Sequence, residues 1–256
     1  MNDFASLMIL SYNRRAYLER SLTSLWETID YPAQIIILDD ASNTETQEYL
    51  FQLVREKKVS TVLFNTGWNL GIGVAVNRGV AIARGRFIFK VDADILYTQG
   101  WLSESVRLLM ENPMIGGLGL FRYHHPPCRH QDEFIKTHEG GFDEVKDFVG
   151  SVIGFRREVY NKVGPWSEDG HSFGEDLHWK TRARAAGFIM ALPKNDLVRN
   201  IGFGETKSSL FRKIDWKEHK HEYNIPRAEP ILFGPGVAQE PTQNRQCEDL
   251  ADPRGL

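Results

Sequence analysis

The chain has 256 residues, of which 41% are hydrophobic and 25% charged, and its formal net charge is -3. This composition excludes global disorder, collagen and coiled coil, and the length favours one large α/β domain. The small net charge argues against a broad electrostatic surface for nucleic acid or anionic membrane. Its only two cysteines, Cys128 and Cys247, form no CxxC pair. A reducing, cytoplasmic setting is therefore expected, without a disulfide framework.

Apolar runs alternate with amphipathic stretches through the first hundred residues. Leu7–Leu10 is too short to span a membrane and predicts a strand, so no integral membrane segment is expected. Three more runs predict buried strands: Ile35–Leu38, Thr61–Phe64 and Phe87–Val91. Helices are predicted between them from apolar residues at three- and four-residue steps: Leu18, Leu22, Leu25, Trp26 and Ile29, then Leu50, Leu53 and Val54, then Ile72, Val76, Val80 and Ala83. Ser42 or Asn43 is expected to cap the second helix.

Repeated strand and helix units of this length predict parallel strands with right-handed crossovers, and hence an α/β fold. In such sheets, ligands bind beyond the carboxyl ends of the strands. Polar residues stand at three of these ends: Ser11–Arg14, Asp39–Ser42 and Asp92–Asp94. Each set alone is ordinary turn and cap chemistry. Three sets at one edge of the sheet indicate a ligand site.

Asp92 and Asp94 follow the fourth predicted strand directly. In an extended strand end, positions i and i+2 project to the same side, which predicts two neighbouring carboxylates. Hard carboxylate oxygens suit Mg²⁺ or Mn²⁺, and Mg²⁺ is often held by one or two carboxylates together with substrate phosphates. The pair therefore predicts a metal site for a ligand that carries a diphosphate.

This acidic pair belongs to a longer series of motifs. The series comprises Ile9–Arg14, Leu38–Ser42, Asn69–Gly71, Asn77–Gly79, Ala83–Gly85, Asp92–Asp94, Gly150-Ser151, Arg156–Glu158, Val163-Gly164 and Glu175-Asp176. In order and spacing, over about residues 5 to 205, it resembles glycosyltransferase family 2, the inverting nucleotide-sugar enzymes of the A-type glycosyltransferase fold. A dinucleotide fingerprint at Gly71-Ile72-Gly73 is rejected, because these glycines do not close the first strand and open the first helix.

The resemblance implies a single A-type domain at residues 1–205, with a mostly parallel sheet flanked by helices. Residues 1–100 would bind the nucleotide sugar and residues 101–205 the acceptor. The implied activity is metal-dependent, inverting transfer of a sugar from a nucleoside-diphosphate sugar, with UDP as first choice and Mn²⁺ or Mg²⁺ as cofactor. The acceptor would be a hydroxyl on a saccharide, a lipid-linked molecule or a small molecule.

Carried over position by position, the resemblance implies that Tyr12 and Asn13 border the base. Asp39 would accept a hydrogen bond from a ring N–H, which uracil, thymine and guanine all offer. Asp92 would meet the ribose or the metal, and Asp94 would coordinate the metal. The remaining candidates on the donor side are Ser11, Asn69, Gly71, Asn77 and Lys90. Many family members have an arginine where Val76 stands, so phosphate neutralisation is assigned to the metal and to Lys90, Arg78 or Arg84.

The second half is expected to supply the acceptor side. Asp176 lies in the first turn of a helix that is predicted to end before Gly187, and there the macrodipole favours an ionised carboxylate. The same placement is ordinary helix design, but the resemblance makes Asp176 the general base, with Glu175 as the fallback. Trp166 and Trp179 flank this segment and are the other acceptor-side candidates, although large aromatic residues are more often core.

The remaining segments leave alternatives open. Residues 121–148 are expected to form an acceptor-facing or lid loop; their histidines, with Cys128 between them, match no common zinc spacing: His124, His125, His130 and His138. Lys207-Ser208-Ser209 stands where many members have a histidine, which leaves a third protein metal ligand open. Residues 206–225 are predicted to form a basic amphipathic helix or extension, and 226–256 a Pro-rich tail. The basic stretch keeps open an acceptor in modified nucleic acid, and a degenerate fold keeps open a non-catalytic nucleotide-sugar-binding protein.

Overall fold

The computed structural model describes residues 3–122, 134–168 and 174–202. Four parallel strands form one half of a nine-stranded sheet: β1 (Ala5–Ser11), β2 (Ala33–Asp40), β3 (Thr61–Asn65) and β4 (Phe87–Val91). Three helices connect them: α1 (Arg15–Thr28), α2 (Thr44–Arg55) and α3 (Ile72–Ile82). All four predicted strands and all three predicted helices are present, and the predicted α/β fold is confirmed.

The second half of the chain extends the same sheet with strands of both directions. Its elements are β5 (Ile95–Tyr97), α4 (Trp101–Glu111), β6 (Ile115–Gly119), β7 (Phe134–His138), β8 (Phe142–Val145), β9 (Val152–Arg156), α5 (Arg157–Val163), α6 (Glu175–Ala185), β10 (Ile189–Pro193) and β11 (Val198–Asn200). The strand order is β3-β2-β1-β4-β9-β6-β10-β8-β7, and β5 pairs with β11 in a separate two-stranded sheet. Strand β9 runs antiparallel to both β4 and β6. The carboxyl end of β4 therefore lies beside residues that precede β9.

The sheet is covered on both faces, which explains the continuous hydrophobicity of its strands. Leu7 and Ile9 pack with α1, α2 and α4, whereas Met8 packs with α3, α5 and α6 on the other face. Successive strand residues point to opposite faces, so a strand buried on both sides has no polar alternation. Side chains just beyond the carboxyl ends of the strands lie outside this core, at the edge of the sheet where the sequence predicts a ligand site.

Two sequence expectations for secondary structure need correction. The apolar spacing predicts that Val54 faces inward with Leu50 and Leu53, but Val54 is 45% exposed, because α2 covers the sheet near its β3 edge and buries only a narrow stripe of residues. The loop expected at residues 121–148 contains the hairpin of β7 and β8 at the opposite edge. β7 is exposed along nearly its whole length, so it lacks the buried apolar run by which the other strands were predicted. Residues 123–133, 206–225 and 226–256 lie outside the described part of the chain.

The predicted cap of α2 is confirmed at one of its two candidates. The Asn43 side chain accepts a hydrogen bond from the Thr46 backbone N–H at 3.0 Å. Ser42 instead faces the end of β1, where its hydroxyl accepts from the Asn13 N–H at 2.8 Å. Among the described residues, no helix is long and apolar enough to cross a bilayer.

Arg156 is a buried guanidinium that closes the end of α4. It donates to four backbone carbonyls, those of Leu109, Asn112, Pro113 and Ile115. Replacing Arg156 with methionine is expected to lower the free energy of unfolding by about 3 kcal/mol, because buried carbonyls lose a charged donor. Urea denaturation of the whole chain measures this change.

Arg107→Met is the matched control. Arg107 bonds Glu104 and Glu111 on the surface of α4, and its side chain is 40% exposed. Its loss is expected to cost less than about 1 kcal/mol, since exposed ion pairs contribute little. Equal effects of the two substitutions would contradict the role given to Arg156.

Candidate active site

The ends of β1 and β2 are joined by a network of polar side chains. The Ser11 hydroxyl donates to Asp39 Oδ1 at 3.2 Å, and the Ser42 N–H donates to Asp39 Oδ2 at 3.2 Å. Asn13 Oδ1 accepts from the Asn43 N–H at 2.7 Å, beside Tyr12 in the chain. The structure thus brings Ser11, Asn13 and Asp39 together, as the sequence predicted.

The backbone around this network adopts an uncommon conformation. Asn13 and Arg14 both have φ near 55°, in the left-handed region. Such residues persist only where their surroundings hold them, and they concentrate at functional sites. Arg14 pairs with Asp94 at 3.2 Å, and its guanidinium lies over the Tyr17 ring of α1, 4.4 Å from the centroid.

Asp39 is buried beneath this turn. Burial raises the pKa of its carboxyl, against hydrogen bonds from Ser42 and Ser11 that lower it. The ionised form therefore costs free energy in the folded protein. A buried acceptor of this kind suits a ligand that brings its own N–H donor.

Asp40 anchors the glycine-containing turn before α3. Its Oδ1 accepts from the Leu70 N–H and its Oδ2 from the Gly71 N–H, both at 2.8 Å. Gly71 has φ near 89°, which favours glycine, and its N–H also meets Asn69 Oδ1 at 2.9 Å. Asn69 and Gly71 therefore shape the turn rather than stand free. A shallow pocket opens beside it, between β2, β3 and α3, lined by residues that include Asp39, Asp40, Asn65, Ala75 and Arg78.

Asn77 has a role other than the predicted one. Its Oδ1 accepts from the Tyr160 hydroxyl and the Trp166 N–H, each at 2.9 Å. Its Nδ2 donates to the Trp166 carbonyl at 2.9 Å and to Glu168 at 2.7 Å. Because these contacts use every hydrogen-bonding position of the amide, Asn77 joins α3 to the segment after α5, and the structure does not support a nucleotide contact.

The acidic pair lies in a turn rather than in an extended strand end, because β4 stops at Val91. The Asp92 N–H donates to the Ser151 carbonyl at 2.9 Å, which fixes the turn against the start of β9. Lys90 is buried below it and pairs with the Asp92 carboxylate. The Lys90 Nζ also donates to the Gly150 carbonyl at 2.7 Å. Lys90 is thus the counter-ion of Asp92.

Asp94 is held by different partners. Arg14 pairs with its Oδ2 at 3.2 Å, and Asn200 Nδ2 donates to its Oδ1 at 3.1 Å. Burial, and after it the charge of Asp92, raises the pKa of the Asp94 carboxyl. Asp92 and Asp94 thus stand in the same turn, and each pairs with its own cation, Lys90 and Arg14.

These two carboxylates form a suitable donor set for a hard divalent cation. Among the described residues, no group of three or more His, Cys, Asp or Glu side chains gathers to hold a metal. Mg²⁺ in enzymes commonly takes one or two carboxylates and completes its shell with water and substrate phosphates. Asp92 and Asp94 fit that pattern without a third protein ligand.

Asp176 lies in the first turn of α6, as predicted, and it faces Gly150. A Cβ placed on Gly150 would fall 2.3 Å from Asp176 Oδ2, so the carboxylate rests directly on that glycine. The carbonyl of the same glycine is bonded by Lys90, the partner of Asp92. Gly150 therefore lies between Asp176 and the acidic turn after β4.

Glu175 has a different environment. Burial raises the pKa of its carboxyl, and the charges of Asp176 and Asp92 add to the rise while Lys90 opposes it. Its Oε2 is buried without a hydrogen-bond partner among the described residues. Glu175 therefore shares the first turn of α6 with Asp176, and its burial opposes ionisation.

Trp166 and Trp179 belong to the core, which corrects their assignment to the acceptor side. Both side chains are buried, and their rings stack with centroids 5.7 Å apart. The Trp179 ring also packs on Phe155 of β9, and its N–H donates to the Gly164 carbonyl at 3.1 Å. Neither indole presents a face on which a sugar could stack.

Four site residues escaped the sequence analysis. They are Arg14, Asp40, Lys180 and Asn200. Arg14 and Asp40 stand inside motifs of the family resemblance, whereas Asn200 stands outside them. Lys180 pairs with Asp176 Oδ2 at 2.9 Å, and the spacing of four residues on a helix is a signal for this pair.

Comparison with known proteins agrees with this architecture. Residues 6–164 match the sequence model described as glycosyl transferase family 2. An uncharacterized glycosyltransferase of Haemophilus influenzae is 25% identical over 116 residues, which are 45% of this chain and 36% of that protein. The chain spans between 36% and 53% of the length of the first three curated relatives that it matches.

Solved structures share the fold at low sequence identity. A mannosyltransferase from Pyrobaculum calidifontis, in complex with GDP-Man and Mn²⁺, aligns with a TM-score of 0.59 and 18% identity over 76% of this chain and 56% of that one. TarS 1–349 of S. aureus, in complex with UDP-GlcNAc, aligns with a TM-score of 0.61 and 18% identity over 81% of this chain and 62% of that one. These similarities confirm the expected A-type glycosyltransferase fold.

Proposed function

The chain belongs to glycosyl transferase family 2, and we propose that it moves a sugar from a nucleoside-diphosphate sugar to an acceptor hydroxyl. The observation that carries the proposal is the meeting of Asp176 with the Asp92–Asp94 turn across Gly150. With a base on one side of Gly150 and a diphosphate-binding turn on the other, the anomeric carbon of the donor sugar would lie between the base and the leaving group. UDP-sugars are the first choice of donor and GDP-sugars the second, since a solved neighbour binds each.

The donor side is assigned to the ends of β1, β2 and β4. Asp39 accepts the ring N–H of the base, and Tyr12 and Asn13 border it. Asp92 and Asp94 hold Mn²⁺ or Mg²⁺, which when bound neutralises charge on the leaving diphosphate. Lys90 keeps Asp92 in place from below, and Arg14 does so for Asp94.

The acceptor side is assigned to α6. Asp176 removes the proton from the acceptor hydroxyl while the oxygen of that hydroxyl bonds to the anomeric carbon of the sugar. The bond from that carbon to the diphosphate breaks on the opposite face, and the nucleoside diphosphate leaves with the electron pair. A single displacement of this kind inverts the anomeric configuration. The acceptor is a hydroxyl of a saccharide, a lipid-linked molecule or a small molecule.

The test is a thermal-shift screen of UDP-, GDP- and dTDP-sugars, each with and without Mn²⁺. We expect UDP-sugars to raise the melting temperature in the presence of Mn²⁺, and to release UDP slowly with water as the acceptor. If the protein is folded and none of the donors raises its melting temperature, the proposal is wrong. Tight donor binding without release of nucleotide to any acceptor would favour a non-catalytic binding protein.

Asp39 is expected to make UDP binding pH-dependent. The ionised carboxylate accepts the base N–H and the protonated one does so poorly, so affinity should fall as pH decreases through the raised pKa of Asp39. Asp39→Asn should weaken UDP binding about tenfold and remove this dependence, since a charged acceptor bonds more strongly than a neutral one. Titration calorimetry at several pH values measures both effects. An unchanged affinity in the variant would remove Asp39 from the base site.

Two glycines provide a paired prediction. A Cβ on Gly150 would press on Asp176 Oδ2, and a Cβ on Gly202 would lie 2.0 Å from Asp94 Oδ2. Gly150→Ala should therefore lower the turnover of UDP release about tenfold to a hundredfold with little change in donor KM. Gly202→Ala should instead raise donor KM and the Mn²⁺ requirement. Steady-state kinetics separates the two patterns, and the same pattern for both variants would contradict the division into donor and acceptor sides.

A further inference from the structure

We infer that Lys180 is a positioning residue that orients Asp176 and keeps it ionised for proton removal. The inference rests on the proposed function of Asp176. It gives a role to a buried lysine outside every motif from which the site was predicted. Lys180 touches none of the reacting atoms and acts only through the carboxylate that it holds.

The contacts of Lys180 form a closed arrangement. Its side chain is 3% exposed, and its Nζ pairs with Asp176 Oδ2 at 2.9 Å and with Asp147. The third acceptor is the Phe148 carbonyl at 2.6 Å. Three acceptors satisfy the three N–H bonds of the ammonium group, which fixes its position. The aliphatic stem then lies in the core near the Phe148 ring, with Nζ 4.8 Å from the ring centroid.

This arrangement fixes the proposed base from two directions. Asp176 Oδ2 is held between the Lys180 ammonium and the Cα of Gly150. Asp147 and Phe148 precede Gly150 by a few residues, so Lys180 joins α6 to the segment that separates Asp176 from the acidic turn. A shift of that segment relative to α6 would move the carboxylate away from the acceptor.

The charges around Asp176 make the ammonium necessary. Glu175 on its own helix and Asp147 from the segment after β8 are both acidic, and within the described part of the chain Lys180 is the cation in direct contact with Asp176. Lys90 reaches only the far side of Gly150, through its carbonyl. Without Lys180, the carboxylates of Asp147 and Asp176 would face each other in a buried environment. Such a pair favours protonation of one of its members. A protonated Asp176 cannot act as a base.

The experiment compares Lys180→Met and Lys180→Gln with wild type, using release of UDP from UDP-GlcNAc with water as acceptor. Glutamine keeps a donor for the Phe148 carbonyl but carries no charge, and it serves if the methionine variant does not fold. We expect a loss of turnover on the order of tenfold to a hundredfold near neutral pH, an acid limb of the pH profile displaced to higher pH, and an unchanged donor KM.

Lys162→Met is the matched control. Lys162 donates to the Ala186 carbonyl at 3.1 Å and has its Nζ 4.8 Å from the Phe188 ring, so it shares the carbonyl and ring contacts of Lys180. It should leave the pH profile unchanged. Adding Asp147→Asn to Lys180→Met should restore part of the turnover, because it removes the competing negative charge.

A purely structural role for Lys180 would lower stability and turnover without moving the pH profile, and Asp147→Asn would not rescue it. That outcome would overturn the inference. Melting temperatures of the Lys180→Gln and Asp176→Asn single variants and of the double variant give a readout without turnover. If wild type releases no UDP, the proposed function fails. A non-additive double variant still supports the charge pairing, whereas additivity overturns it.

Discussion

Asp176→Asn is expected to lower the turnover of UDP release by a factor of about 10² to 10⁴, the range that general base catalysis supplies. The asparagine has the same shape and still accepts from Lys180, but it cannot take a proton. Donor affinity should stay near that of wild type, since Asp39 and the Asp92–Asp94 turn are untouched. Initial rates with UDP-GlcNAc, together with the thermal shift produced by the donor and Mn²⁺, measure the two quantities separately.

Glu175→Gln is the control for this prediction. Glu175 is adjacent to Asp176, and burial raises the pKa of its carboxyl and so opposes its ionisation, which means that an amide in its place changes less. We expect a reduction of turnover well below that of Asp176→Asn. A variant series in which Glu175→Gln is inactive and Asp176→Asn retains turnover would exchange the roles of the two residues.

The strands and the cluster of polar residues at their carboxyl ends were predictable because the signals for them are local. A buried strand is a short apolar run, and parallel strands bring their carboxyl ends to one edge, so Ser11 and Asp39 had to be neighbours. The polar residues at those ends needed no knowledge of packing. The turn at Asp92 was misread as extended, since only pairing with β9 shows that β4 stops at Val91.

Residues whose roles depend on tertiary packing could not be predicted in this way. Trp166 and Trp179 flank Asp176 in sequence, but which side of the chain they face depends on α3 and β9, against which they pack. Asn77 occurs in a recognised motif, yet its amide is used by residues more than eighty positions later. Lys180 shows the converse case, in which a helix spacing was visible but its partner Asp147 was not.

Asp94→Asn is expected to abolish the thermal shift that a UDP-sugar produces with Mn²⁺, with an affinity loss on the order of a hundredfold or more. Substitution of a residue that only orients a metal ligand costs about 10- to 100-fold in metal affinity. Removal of the charge of a ligand itself should cost at least as much. The substitution preserves the hydrogen bond from Asn200. Arg14 is partly exposed, so water can solvate it when its partner loses charge.

Without donor, Asp94→Asn should be at least as stable as wild type. Because burial raises the pKa of Asp94, the folded state binds its proton more tightly than the unfolded state does, and stability declines as pH rises through that range. Asparagine carries no such cost, so in a chelator at pH 8 the melting temperature should equal or exceed that of wild type. Loss of the donor shift then cannot be attributed to misfolding.

Asp143→Asn provides the opposite control at a distant carboxylate. Asp143 also pairs with an arginine, Arg122, at 2.8 Å, but hydrogen bonds from Lys194, Thr137 and Arg122 outweigh burial and lower its pKa. Its ionised form stabilises the fold, so the asparagine variant should melt earlier while keeping the full Mn²⁺-dependent donor shift. If Asp94→Asn also kept that shift, the metal would have to lie elsewhere, and the assignment of the acidic turn to the diphosphate would be wrong.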